Sequence, residues 1–381
     1  MRNLLLLAVL TLIAGCTKDS QYEKAPESTD HNPEVSIGND FPQQDSKQQT
    51  PTRPSEIKLG LNDVSILIPY FKHPALFKTM PSFLDYFPSS HLKALDNTLR
   101  SDNETADQNT TLARIGTDQS YFDYRLVSIR FDPCANVLSP MTTPSCEAEI
   151  RLVWQRAVKA SDTDYFFDDN VIHTIHAVAS EEFTAIVKQL RVLKGNAKHE
   201  TYDLPLLPSP TIEKEGPNSS YLKGLLSLVK ANTKNLIGIA YFANTSKTLG
   251  NWPMFRLDRS GESLYETDIP VAHAKIQRMT GRSFLSKPMP LGITADANAL
   301  ENPRLHSTLD TDCASCHRAN NETNKGLGQY ENSNFDLTAR FATGSKVSLQ
   351  MFSYFDQQIK ITPRVINTSA EICDYINSGK F

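Results

Sequence analysis

The sequence predicts an α+β protein, with a mixed α+β domain over residues 57–290 and a small all-α domain over 291–381. Three observations carry this expectation. Short runs alternate apolar and polar residues with the period of half-buried strands, and other runs repeat at helical spacing, without the regular strand-helix alternation of a doubly wound sheet. The chain after residue 56 is longer than one compact core usually holds. Pro288, Pro290 and Gly292 interrupt the pattern and mark the division.

In chain order, Asp63-Val64-Ser65-Ile66-Leu67-Ile68 reads as a strand. Val127, Ile129 and Phe131 alternate with polar residues before Pro133, and Ile150, Leu152 and Trp154 do the same in a second strand. Val171 to Val178 continues the strand pattern, which points His173 and His176 to opposite faces and argues against reading His-x-x-His as a metal pair. Ser180 is an N-cap candidate for a helix with Glu181 and Glu182 in its first turn, Phe183, Ile186, Val187 and Leu190 on one face, and Gly195 past its end. A second helix runs from Ser220 to about Ala231 with Leu222, Leu225, Leu226 and Val229. Leu236 to Ala243 is a continuous apolar strand, and Met254–Leu257 with Ser263–Ile269 form a hairpin about Arg259-Ser260-Gly261-Glu262. At the end of the chain, Asn367 to Ser369 offer N-cap side chains to an amphipathic helix carrying Ile372, Cys373 and Ile376. No internal repeat interrupts this order.

The six cysteines divide by position. Cys134 follows one predicted strand and Cys146 precedes the next, so a disulfide there closes a hairpin-like loop and stabilises the fold by about 3 kcal/mol. Cys373 lies on the apolar side of the last helix with Ala370 and reads as a buried, inert thiol.

At the other end, Met1-Arg2 precedes an apolar run from Leu4 to Ala14 and the small-residue site Ile13-Ala14-Gly15-Cys16. The run is shorter than the roughly 20 residues that span a bilayer. It resembles a bacterial lipoprotein signal, residues 1–15. That resemblance implies cleavage before Cys16, acylation of Cys16, and anchoring in the bacterial cell envelope on a periplasmic or cell-surface face. Thr17 after the acylated cysteine resembles outer-membrane rather than inner-membrane lipoproteins. Residues 16–56 then read as a disordered tether, because five prolines and a polar composition cannot bury enough apolar surface to fold. A random coil of that length reaches roughly 30 to 40 Å from the lipid. The segment 17–56 holds 4 basic and 8 acidic residues, a net charge equal to the −4 of the whole chain. The body is therefore close to neutral, which argues against nucleic acid as a partner and against electrostatic membrane binding.

Cys313-Ala314-Ser315-Cys316-His317 carries the chemistry. Two thiols three positions apart can each add to a haem vinyl group, while the adjacent imidazole sits under the same porphyrin face. The motif and the length of 291–381 resemble the mono-haem c-type cytochromes with a class I-like haem domain. The resemblance implies one covalent haem c held by Cys313 and Cys316, iron ligated by His317, one-electron transfer, and a transient redox protein partner. No proline follows within 318–330, so a different carbonyl from the usual one takes the His317 Nδ1 proton. Met351, in an aromatic run that can wall the porphyrin, is the candidate distal ligand. His306 and Lys346 are its rivals, and with none bound the iron stays open to small ligands. Two other functions stand beside electron transfer: a haem-dependent, peroxidase-like oxidoreductase, and a surface binding lipoprotein with a haem-sensing domain. Cys313 and Cys316 as a redox disulfide or half of a zinc site is the competing chemistry.

Overall fold

A computed structural model describes residues 57–87, 124–135, 147–159, 165–197, 199, 201–241, 254–257, 264–266, 303, 351–355 and 358–379. All of them lie in the unit Pro51–Phe381. The expected leader, the expected tether, the expected turn at Arg259–Glu262 and the expected break from Pro288 to Gly292 lie outside the described residues.

Among the described residues, seven strands form one antiparallel sheet in sequential order: β1 (Ser65–Leu67), β2 (Tyr124–Ala135), β3 (Glu147–Lys159), β4 (Tyr165–Val178), β5 (Leu236–Tyr241), β6 (Met254–Leu257) and β7 (Leu264–Glu266). Helix α1 (Leu61–Val64) precedes β1, and α2 (Leu76–Thr79) and a 3-10 turn (Phe83–Asp85) follow it. Helices α3 (Ser180–Asn196), α4 (Pro210–Glu215) and α5 (Ser220–Asn232) lie between β4 and β5. The chain ends in a hairpin, β8 (Phe352–Phe355) and β9 (Gln358–Ile361), and helix α6 (Pro363–Asn377).

The register assigns the two faces, because directly opposed residues of antiparallel strands point the same way. Ile129, Leu152, Thr174 and Ile239 are mutually opposed. On that face Trp154 donates Nε1–H to Thr174 Oγ1 at 3.0 Å, with the Phe83 ring edge-on at 5.5 Å. Tyr86 packs on the same indole and donates its hydroxyl to the Leu226 carbonyl of α5. The opposite face carries Ser128, Val153 and Gln155 and is covered by β8. Ser128 Oγ donates to the Phe352 carbonyl, and the Gln155 amide bonds both the N–H and the C=O of Tyr354. Tyr354, 1 % exposed, stacks on Phe167 and meets Tyr70 and Phe71 edge-on. Its hydroxyl donates to the Ile68 carbonyl, and that of Tyr70 to the Leu126 carbonyl.

The mixed α+β class therefore holds, and β2 to β7, α3 and α5 fall where the periodicity places them. Three expectations change. Asp63 and Val64 are in α1, not in a strand, because Asp63 Oδ2 accepts the Gly60 N–H at 2.7 Å and closes a turn there. α6 begins at Pro363 rather than after Asn367. Thr362 Oγ1 accepts the Val365 N–H, and Pro363 loses nothing at a helix position whose N–H has no intrahelical partner. The described part of 291–381 is a β-hairpin and one helix instead of an all-α domain, and it belongs to the same core as 57–241. Asn377 exchanges hydrogen bonds with the Leu59 backbone, and the Ser369 and Ser65 hydroxyls are hydrogen-bonded at 2.7 Å. A division near residue 290 does not separate these described segments. The physical reason is that the Ser128 face of β2 and β3 needs a cover, and the end of the chain supplies it.

Candidate functional site

Cys313, Cys316, His317, His306, Lys346, Cys16 and Cys146 lie outside the described residues. In chain order the Cys313–His317 pentapeptide lies between β7 and β8. Met351 stands at the entry to β8. It is half-buried and packs against the hydrophobic core, and its carbonyl accepts the Thr362 N–H at 3.0 Å, tying it to the start of α6. Of its aromatic neighbours, Phe352 and Tyr354 are buried in the core. The thioether is thus held at the rim of the core while the next side chains along β8 anchor the hairpin.

Cys134 is disulfide-bonded and Cys373 is a free, fully buried thiol. Ala135 pairs with Glu147 in the β2–β3 register, which brings the start of β3 beside the Cys134 end of β2. Burial pushes the Cys373 thiol well above its ordinary range, and the Asp63 and Asp374 carboxylates push it further, so it is a poor nucleophile. His173 and His176 both lie in β4. His176 is buried with Nε2 at 3.0 Å from Thr174 Oγ1, a structural bond. His73 Nε2 lies 2.9 Å from the Glu213 carbonyl. Among the described residues, no three His, Cys, Asp or Glu side chains converge as metal ligands. Nor is any described helix long and apolar enough to cross a membrane.

Two charged clusters come together only in three dimensions. In the first, Lys194 Nζ of α3 bonds Asp63 Oδ2 of α1 at 2.8 Å, with both side chains 6 % exposed. Gly60 N–H and the Thr201 hydroxyl also donate to that carboxylate, and the Tyr202 ring lies 5.6 Å from the ammonium. Burial pushes the Asp63 carboxyl upward, against the pull of Lys194 and of its hydrogen bonds. The second cluster lies on the face of the sheet that β8 covers. Arg130 of β2 and Arg151 of β3 are directly opposed. Glu149 Oε1 accepts from Arg151 Nε at 3.1 Å and from its terminal nitrogen at 2.8 Å. Burial and then Arg151 lower the Arg130 guanidinium to about 10, with Asp132 and Glu149 acting in the opposite sense and Arg364 of α6 adding to the fall. In the sequence, Arg130, Asp132, Glu149 and Arg151 look like the solvated face of two strands. The clue to their convergence is that β2 and β3 both place charge on that face within the same few residues.

Comparisons with family models, with curated proteins and with solved structures each return no match to this chain.

Proposed function

We propose that this chain is an extracytoplasmic, lipid-anchored mono-haem c-type cytochrome that carries single electrons between transient protein partners. The observation that carries the reading is the pentapeptide from Cys313 to His317, and the lipobox ending at Cys16 supports it by directing the chain to the compartment where such haem attachment occurs. The donor set fits the group: two thiols at vinyl spacing, an imidazole beside them, and the thioether of Met351, half-buried at the rim of the core. When bound, a haem of this kind supplies a one-electron iron couple whose potential depends on its axial ligands. Cys313 and Cys316 would hold the macrocycle covalently, and His317 and Met351 would supply nitrogen and sulfur ligands to its iron. The sheet and α6 then provide a rigid base that fixes Met351 through its bond to Thr362. Cys146 is the partner we assign to Cys134, and acylated Cys16 holds the protein at the membrane, outer rather than inner.

The test is a reduced and oxidised visible spectrum of the mature protein, produced with cytochrome c maturation machinery, beside Met351→Ala. A covalent low-spin spectrum whose sulfur-to-iron charge-transfer band vanishes in the variant supports the His317/Met351 pair and electron transfer. A high-spin wild type that binds carbon monoxide readily removes Met351 from the iron and favours a haem enzyme. Absence of covalent haem ends the reading.

A further inference from the structure

We propose that Thr362 is the positioning residue for the Met351 thioether, so that the start of α6 sets how tightly that sulfur is held on the haem iron. The inference rests on the haem reading above and deepens it: a distal ligand fixed by the α+β core gives way to other ligands when α6 loosens.

Met351 is where the stretch of chain that carries the Cys313–His317 pentapeptide rejoins the core. Two successive carbonyls hold the backbone there. That of Met351 accepts the Thr362 N–H at 3.0 Å, and that of Phe352 accepts the Ser128 hydroxyl of β2 at 2.9 Å. Phe352 is opposed to Ile361 in the β8–β9 register, so the Met351–Thr362 bond stands one residue further along both arms of the hairpin. Thr362 is fully buried and is also the N-cap of α6. Its Oγ1 accepts the Val365 N–H at 3.3 Å, and Pro363 presets the first helical residue. One residue therefore joins the Met351 backbone to the helix.

The helix is fixed in turn along its length, by the Ser369–Ser65 bond to β1 and by the bonds between Asn377 and Leu59. The Met351 backbone can withdraw from a position it shares with the iron only by breaking its bond to Thr362 or that of Phe352 to Ser128. The free energy of that opening adds to the free energy of losing the ligand. Without Thr362 Oγ1 the first turn of α6 loses its cap and the Thr362 N–H loses its fixed direction. The open state should then be about fivefold more populated, the ratio that a lost N-cap corresponds to.

The experiment is titration of the oxidised, haem-loaded mature protein with imidazole, which competes with a thioether for the iron. Loss of the sulfur-to-iron charge-transfer band reads the displacement, and urea unfolding followed by far-UV circular dichroism reads global stability in parallel. Thr362→Ala should bind imidazole about fivefold more tightly than wild type. Thr362→Ser keeps the cap and should restore the wild-type affinity. Ser128→Ala, which removes the second hold on β8, should shift the affinity in the same direction as Thr362→Ala. Thr233→Ala removes a buried hydroxyl bonded to the Val229 carbonyl at the end of α5, and should lower global stability while leaving imidazole affinity unchanged. The proposal is overturned if Thr362→Ala and Ser128→Ala bind imidazole like wild type, if Thr362→Ser does not rescue, or if Thr233→Ala shifts the affinity as far as they do. Should Thr362→Ala fail to fold, Ser128→Ala set against Thr233→Ala decides by the same criterion. A wild type that shows the band while these affinities do not move ends this inference and leaves the haem reading standing; a wild type without the band removes Met351 from the iron and ends both.

Discussion

Replacing Lys194 by Met isolates the Asp63 carboxyl in the core and makes a prediction whose size depends on pH. In the wild type that carboxylate receives Lys194 at 2.8 Å, the Gly60 N–H at 2.7 Å and the Thr201 hydroxyl at 3.4 Å. Without Lys194 it has two choices. It can stay ionised and unpaired, which costs about 3 to 5 kcal/mol in buried pairs. Alternatively it can take up a proton, which costs about 1.4 kcal/mol for each pH unit above the ordinary carboxyl value. That value is 3.8 for Asp63. The cheaper route sets the loss: about 4 kcal/mol at neutral pH, falling to about 2 kcal/mol near pH 5. The direction follows from linkage. In the variant the folded-state carboxyl titrates above its unfolded value, so its stabilisation is complete below the unfolded value and is lost as pH rises through the folded one. Urea unfolding followed by far-UV circular dichroism between acidic and neutral pH measures this. Asp63→Asn together with Lys194→Met should recover most of the loss, since a buried ion pair is often replaceable by neutral groups of similar size. A loss under about 1 kcal/mol that does not change with pH would refute the argument, because it would mean that water solvates the pair.

Three further outcomes test the packing. Gln155→Leu removes both hydrogen bonds to the Tyr354 backbone and should cost about 2 to 3 kcal/mol, with hydrogen exchange rising first in β8 and β9. Gly60→Ala would place a Cβ 2.7 Å from the Tyr202 carbonyl oxygen and 2.9 Å from its Cα. That backbone cannot yield as a side chain can, so a loss of about 1 to 3 kcal/mol is expected in denaturant titration. Gly195→Ala meets only the Ile57 side-chain tip at 2.7 Å and should be the milder change. Cys134→Ser should lower stability by about 3 kcal/mol, and non-reducing mass analysis of wild type after native alkylation should show Cys373 unmodified until the protein unfolds.

Much of the sheet was legible because hydrophobic periodicity is local. Ile150, Leu152 and Trp154 declare a strand in five residues, and Phe183, Ile186, Val187 and Leu190 declare a helix face in eight. The Cys313–His317 pentapeptide and the small-residue site ending at Cys16 are also contiguous, readable without any fold. The sequence by itself therefore determined most of the elements and the motif on which the proposed function rests. Tertiary structure decided what those elements do to one another. It turned Asp63 out of a strand and against Lys194, put Tyr354 and Phe352 into the core, and joined α6 to Leu59 and Ser65. It also set Arg130 opposite Arg151, which a strand pattern cannot reveal until the register is known. The reason is physical: periodicity says which face of an element is apolar, but the free energy of burial depends only on contact. A face on β2 is satisfied equally well by a neighbour in sequence or by a helix more than two hundred residues away.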